Sequence, residues 1–317
     1  MAELQGQTQG PQGAIYDLGY RPYEGPYCGR AYALWSLLWD DTKRALGVKK
    51  SWKYKLIVLL LLLGELGIFF FYLLTSELVE RIGPGVPATL LNPYSAFYEG
   101  AALIVWLLSA LVVPDLICND RRYRVYPLYV ARPIYSYDYL LAKGLAAVGI
   151  LTVFLVGPAL LLFLGKAFLA RDALQYISGH QRDLFALLIA GPLLGLFYGS
   201  FALGISSLTS SRGYAAGAIL GVLLLSGLVS GLLLFTIHER WALLVDVGDY
   251  ALRLKDALFG TLEPITIFQE TSVQDEIVRE SAVQFEPFSP WVYGLGTLAV
   301  VTLSWAVAWV SFRREAR

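Results

Sequence analysis

Six stretches of the chain, 56–74, 100–117, 145–165, 184–208, 214–237 and 291–312, are apolar over enough length to cross a bilayer, which takes about 20 helical residues at about 1.5 Å of rise each. Lipid offers the backbone no hydrogen-bond partners, so each must be a helix, and these leucine- and glycine-rich runs lack the alternation of a barrel strand. The expected fold class is an all-α integral membrane protein with six transmembrane helices and no strands. Ahead of the first stretch, Ala33, Leu34, Leu37 and Leu38 recur at helical spacing, flanked by Trp35 and Trp39 and followed by Lys43, Arg44, Lys49 and Lys50. That pattern predicts an amphipathic elbow helix within 29–55, lying in the membrane interface. Residues 1–28, rich in Gly, Gln and Pro and ending in YDLGYRPYEGP, read as a partly disordered tail.

The longest connection, 238–290, places Leu243, Leu244, Val247, Tyr250, Ala251, Leu254 and Leu258 at three- and four-residue intervals. One amphipathic helix at the outer surface is expected there, followed by an acidic, partly ordered cap. No period of 20–50 residues repeats, which removes support for a carrier built from inverted repeats.

Composition agrees with a membrane as solvent: 56% of residues are hydrophobic, 16% are charged, and the mean hydropathy is +0.56. The formal net charge is zero, so nothing argues for a nucleic-acid partner, and the placement of charge matters more than its sum. Of the 25 Lys and Arg residues, 17 fall in 1–55, 118–144, 209–213 and 313–317, and 8 in the alternate segments 75–99, 166–183 and 238–290. Cytoplasmic segments carry the basic excess, so both termini are expected in the cytoplasm. No short apolar core lies near Met1, so the first membrane helix is expected to serve as the targeting signal. Cys28 and Cys118 then lie on the cytoplasmic side, where no structural disulfide is expected.

The segment NDRRYRVYPLYVARPIYSYDYLLAK, 119–143, is the most informative in the chain. It interleaves Arg121, Arg122, Arg124, Arg132 and Lys143 with six tyrosines, and Pro127 and Pro133 punctuate it. A positive-inside loop accounts for the charge, whereas the prolines with Asp120 and Asp138 suggest a short helix, a break, and a second helix leading into the third span. Here the sequence resembles the type-2 ABC exporter permeases, in which an acidic-arginine segment after the second helix is followed by a run like ARPIYSYDYLLAK and forms the coupling helix seated on the ATPase subunit. The likeness extends to the elbow helix, the six spans and the long outer connection before the sixth, and covers roughly 16–317. It implies that Asp120, Arg121, Arg122, Tyr123, Arg124, Arg132, Pro133, Asp138 and Lys143 lie at or near an ATPase contact. It also implies a multi-pass protein of a prokaryotic plasma membrane whose partners are an ABC ATPase, a second permease copy or a related permease, and membrane lipid.

No GxxxxGK(S/T) loop follows a strand, so ATP and Mg are expected on the partner subunit and this chain is not expected to be an enzyme or to hold a cofactor. No HExxH helix occurs, Ser206, Ser207 and Ser226 have no histidine within their own spans, and His180 and His238 are isolated, so neither intramembrane hydrolysis nor a metal site is supported. Glu65 sits mid-span in LLLLLGELGIFFF, where a charge is costly. It reads either as a proton-linked or substrate-contacting group or as a neutral carboxyl bonded to a neighbouring helix. Pro158 and Pro192 are expected to be tolerated kinks. Gly191, Gly195 and Gly199, then Gly217 and Gly221, then Gly227 and Gly231, are spaced at four, a spacing that allows close helix packing within one subunit or between two. Two other functions compete with the permease: a secondary transporter using Glu65, and a non-transporting ABC membrane subunit that transmits force to an outer partner.

Overall fold

The computed structural model describes residues 29–48, 50–82, 92–123, 125, 135–271 and 279–315. A first helix, α1 (Arg30–Ala45), precedes α2 (Trp52–Ile82), α3 (Pro93–Arg122) and α4 (Ser136–Leu169). After the two-turn α5 (Ala173–Gly179) come α6 (Gln181–Ser206) and α7 (Arg212–Ile237), then a 3-10 turn (Arg240–Val245) and α8 (Asp249–Phe259). An antiparallel pair, β1 (Ile265–Thr271) and β2 (Arg279–Phe285), leads into α9 (Pro290–Glu315). Six of these helices, α2, α3, α4, α6, α7 and α9, are long and apolar enough to cross a membrane.

The helices overrun the apolar stretches because a helix continues into the polar margin wherever its caps permit. Asn92 caps α3, its side chain accepting from the amides of Tyr94 and Ser95 at 3.2 Å each, with Pro93 in the first turn. Within the 238–290 connection, Gly260 ends α8 at φ +75°, a conformation that costs glycine nothing.

In the membrane-spanning set, α3 is central: 72% of its most apolar window is buried, against 11% for α2 and 17% for α9. It packs against α2, α4, α6 and α7, while α4 and α6 form the tightest pair. The reason is the glycine stripe of α6. A methyl group added at Gly191 would overlap Val156, one at Gly195 would lie 2.5 Å from Thr152 Oγ1, and one at Gly199 would lie 3.1 Å from Val148 Cγ2. Three glycines one turn apart thus seat Val148, Thr152 and Val156 of α4, so this stripe packs within the subunit. In α7 the spacing has a different meaning: Gly217, Gly221 and Gly231 have none of the described residues over them, and Gly227 faces the Asp246 carboxylate. Pro114, Pro158 and Pro192 are all accommodated inside helices.

Two expectations fail at the end away from α1. The chain does contain strands: Ile265 pairs with Phe285 and Thr271 with Arg279. The acidic content of this segment hid runs rich in β-branched residues, which suit a pleated surface. The single amphipathic helix expected over 243–258 is broken at Asp246, whose carboxylate accepts the Gly248 amide at 3.0 Å and the Ser226 hydroxyl at 3.3 Å. Nor does its second part lie on the surface. α8 packs against α3, α6 and α9, burying Ala251, Leu252, Lys255, Asp256 and Phe259. Tyr198 of α6 fixes the start of this helix through a hydrogen bond from its hydroxyl to the Gly248 carbonyl at 2.9 Å.

Candidate functional site

At the end of the molecule that carries α1, three carboxylates organise the meeting of five segments. The first is Asp120, in the last turn of α3. Lys143, two turns inside α4 and fully buried, lies 2.8 Å from Asp120 and 2.7 Å from Asp41 of α1. The Tyr139 hydroxyl donates to the same Asp120 oxygen at 2.9 Å, and Arg44 approaches the other at 3.8 Å. Asp41 reaches this place because Leu37, Asp41 and Ala45 form the buried stripe of α1 at helical spacing, while Trp35 and Trp39 stay exposed. The second Asp41 oxygen has no hydrogen-bond partner among the described residues. Burial raises the Asp41 carboxyl above its ordinary range, against the opposing pull of Lys143.

The second carboxylate is Asp138, in the first turn of α4. It receives Arg30 of α1 in a bidentate pair, Nε at 2.8 Å and Nη2 at 2.6 Å, and also accepts the Tyr135 amide at 3.1 Å. Arg30 also donates to the Tyr137 hydroxyl, and its guanidinium lies over the stacked Tyr135 and Tyr137 rings at 5.0 and 4.9 Å. The third is Asp115, which takes Lys50 from the α1–α2 connection, Arg212 from the start of α7 at 2.6 Å, and the Asn119 side chain at 3.1 Å.

The consequence is mechanical. α1 is tied near its N-terminus to the start of α4 and near its C-terminus to both α3 and α4, and α7 is tied to α3 at the same level. A buried charge that loses its partner costs several kcal/mol, so these elements hold their relative positions unless the whole set moves together.

Of the residues that the resemblance places at a coupling surface, Asp120, Asp138 and Lys143 face inward and bond within the chain. Arg121 is half-buried, and Arg122 and Tyr123 are exposed. Arg124, Arg132 and Pro133 lie outside the described residues, as does Cys28. Cys118 is free and buried, its thiol near the Ser206 carbonyl at 3.5 Å. Glu65 is fully buried in α2, and neither of its carboxyl oxygens has a hydrogen-bond partner among the described residues.

Asp41, Asp115, Arg30 and Arg212 were not singled out by the sequence, and Lys50 only as one of the basic residues after the elbow helix. Asp41 carried a readable signal: it continues the apolar stripe of Leu34 and Leu37 at a spacing of four. A second buried set lies at the opposite end. Lys255 of α8, fully buried, donates to the Ser95 carbonyl at 3.1 Å and hydroxyl at 3.0 Å, and pairs with Asp256 at 2.5 Å and Glu99 at 3.3 Å.

No protein-family model matches the chain, and no curated protein matches it. Its functional reading therefore stands on the residues and their geometry.

Proposed function

We propose that the chain is the membrane subunit of an ABC exporter, moving its substrate outward by alternating access while a separate subunit hydrolyses ATP. The observation that carries the reading is the ion-pair hub of Asp41, Lys143 and Asp120 with its flanking clamps at Asp138 and Asp115. A subunit driven by a partner must pass a displacement at one end into its spanning helices without losing it in loose joints. The hub makes α1 and the inner ends of α3, α4 and α7 such a joint, and the adjoining segment 119–143 carries the resemblance to coupling helices. Closure of two ATP-bound subunits would displace this end as a unit, with the differential binding of ATP to the closed state supplying the bias. On this reading the α1 end and both termini are cytoplasmic, α1 lies at the interface of a prokaryotic plasma membrane, and a second permease copy or a related chain completes the path. The uncovered Gly217 and Gly221 of α7 leave a surface on which another helix could approach closely.

The test is purification of the tagged chain from its own membrane in mild detergent, with mass spectrometry of what accompanies it. Recovery of an ATP-binding-cassette subunit, reduced by Arg122→Glu with Tyr123→Ala, supports the reading. A chain that purifies alone, or only with itself, contradicts it. One observation favours a second reading, a secondary transporter: the buried Glu65, whose carboxyl has no hydrogen-bond partner among the described residues. Transport that survives ATP depletion but is lost in Glu65→Gln would establish that alternative.

A further inference from the structure

Between the last turns of α3 and the first turn of α7 lies a cleft of about 710 Å³, with Tyr54 of α2 at its edge. Its lining divides into two zones along α3. Ala110, Leu111 and Pro114, with Ala216 across the gap, make an apolar half. Asn119, Arg122, Ser210, Ser211 and Arg212 make a polar half at the α1 end. From Ala110 to Arg122 is about 18 Å along the helix at about 1.5 Å per residue, a length that accommodates a headgroup and the beginning of an acyl chain.

The charge of the polar half is unbalanced. Among the described residues Asp115 is the one carboxylate in the lining, and it is already shared by Lys50 and Arg212. The two cations of the lining, Arg122 and Arg212, thus face one acid that Lys50 also neutralises from outside the lining, and Arg122, which is exposed, makes no ion pair among the described residues. The Ser211 hydroxyl does not cap α7, so the first-turn amides on this side also present donors. We propose that this cleft binds a phosphate-headed amphiphile from the adjoining leaflet, its headgroup against Arg122 and Arg212 and its first carbons along Leu111, Pro114 and Ala216. A zwitterionic lipid of the same chain length gains less, because its cationic group meets the same excess of positive charge. This binding does not depend on an ATPase partner.

The experiment uses the full chain in detergent, titrated with equal amounts of phosphatidylglycerol and phosphatidylcholine and read by native mass spectrometry. Phosphatidylglycerol should be retained preferentially. Arg122→Gln should lower that preference about fivefold, which corresponds to the roughly 1 kcal/mol that a surface cation contributes toward an anionic headgroup. Ala216→Phe, which fills the apolar half and leaves every charge in place, should lower it too, whereas Arg313→Gln, at the exposed end of α9, should not. Competition by glycerol 3-phosphate would assign recognition to the headgroup alone, and its failure would assign it to headgroup and chain together; either keeps the site. Equal retention of the two lipids, or a preference untouched by both Arg122→Gln and Ala216→Phe, overturns the proposal.

Discussion

Replacing Lys143 by methionine removes the one cation held between Asp41 and Asp120, both of which are buried. The variant leaves two carboxylates facing each other with Arg44 alone among the described residues, at 3.8 Å and half exposed, to offset them. Breaking a buried pair by deleting one partner costs about 3–5 kcal/mol, and the cost here belongs to the top of that range because two acids are stranded. Replacing Asp41 by asparagine should behave quite differently. Lys143 keeps Asp120, the cluster's net charge falls from minus one to zero, and the oxygen that lacks a partner is no longer part of a charge. Its effect should stay within about 1 kcal/mol, the net worth of a typical single hydrogen bond. Chemical denaturation in mixed micelles, followed by helical circular dichroism, measures both. The same assay carries a pH signature: because Asp41 is raised in the folded state, that state binds the proton more tightly, and stability falls as pH rises from the unfolded aspartate range through the folded value. Asp41→Asn should flatten that slope. If Lys143→Met and Asp41→Asn cost the same, or if Lys143→Met lies within 1 kcal/mol of the parent, the hub is not what holds α1 in place.

Three further outcomes follow from the packing. Gly195→Val drives its side chain into Thr152 and the Val148 carbonyl and should cost about 1–3 kcal/mol by overpacking, whereas Gly217→Val meets none of the described residues and should leave the isolated chain's unfolding unchanged to within about 1 kcal/mol. Glu65→Leu removes a buried group with no hydrogen-bond partner among the described residues and should raise stability by about 1–3 kcal/mol in the same denaturation assay; a loss of stability would show that the carboxyl has partners. Lys255→Met leaves the buried Asp256 without its cation and should cost about 3 kcal/mol, visible as faster proteolysis in the 238–290 connection than in the parent.

The six long helices were legible because an uninterrupted apolar run of about 20 residues has one solution in lipid. The elements between them depended on contacts that the sequence does not display. β1 and β2 pair residues up to 20 positions apart, and their β-branched content was read through the surrounding acids. α8 shows a clear apolar spacing, but nothing in the sequence says that Lys255 and Asp256 find Ser95 and Glu99, some 160 positions earlier, and so allow the helix to sink. The site was half visible for the same reason. Asp120, Asp138 and Lys143 drew notice through their motif, while their partners Asp41 and Arg30 lie on another helix about 100 residues away. Asp115 falls within the apolar stretch 100–117 and drew no notice there, yet it is a junction between α3 and α7. The glycine spacing was equally visible in α6 and α7, yet only the facing helix shows that one stripe is filled by α4 and the other is open.

The measurement that bears most directly on the permease reading is photo-crosslinking from position 123, which is exposed beside the hub at the end of α3. With a photoreactive phenylalanine in place of Tyr123, illumination of native membranes should yield one dominant adduct containing an ATP-binding-cassette ATPase, and its yield should change when ATP is trapped in place of ADP. An adduct only with lipid or with another copy of the chain, under conditions in which the chain is folded and abundant, would contradict the account.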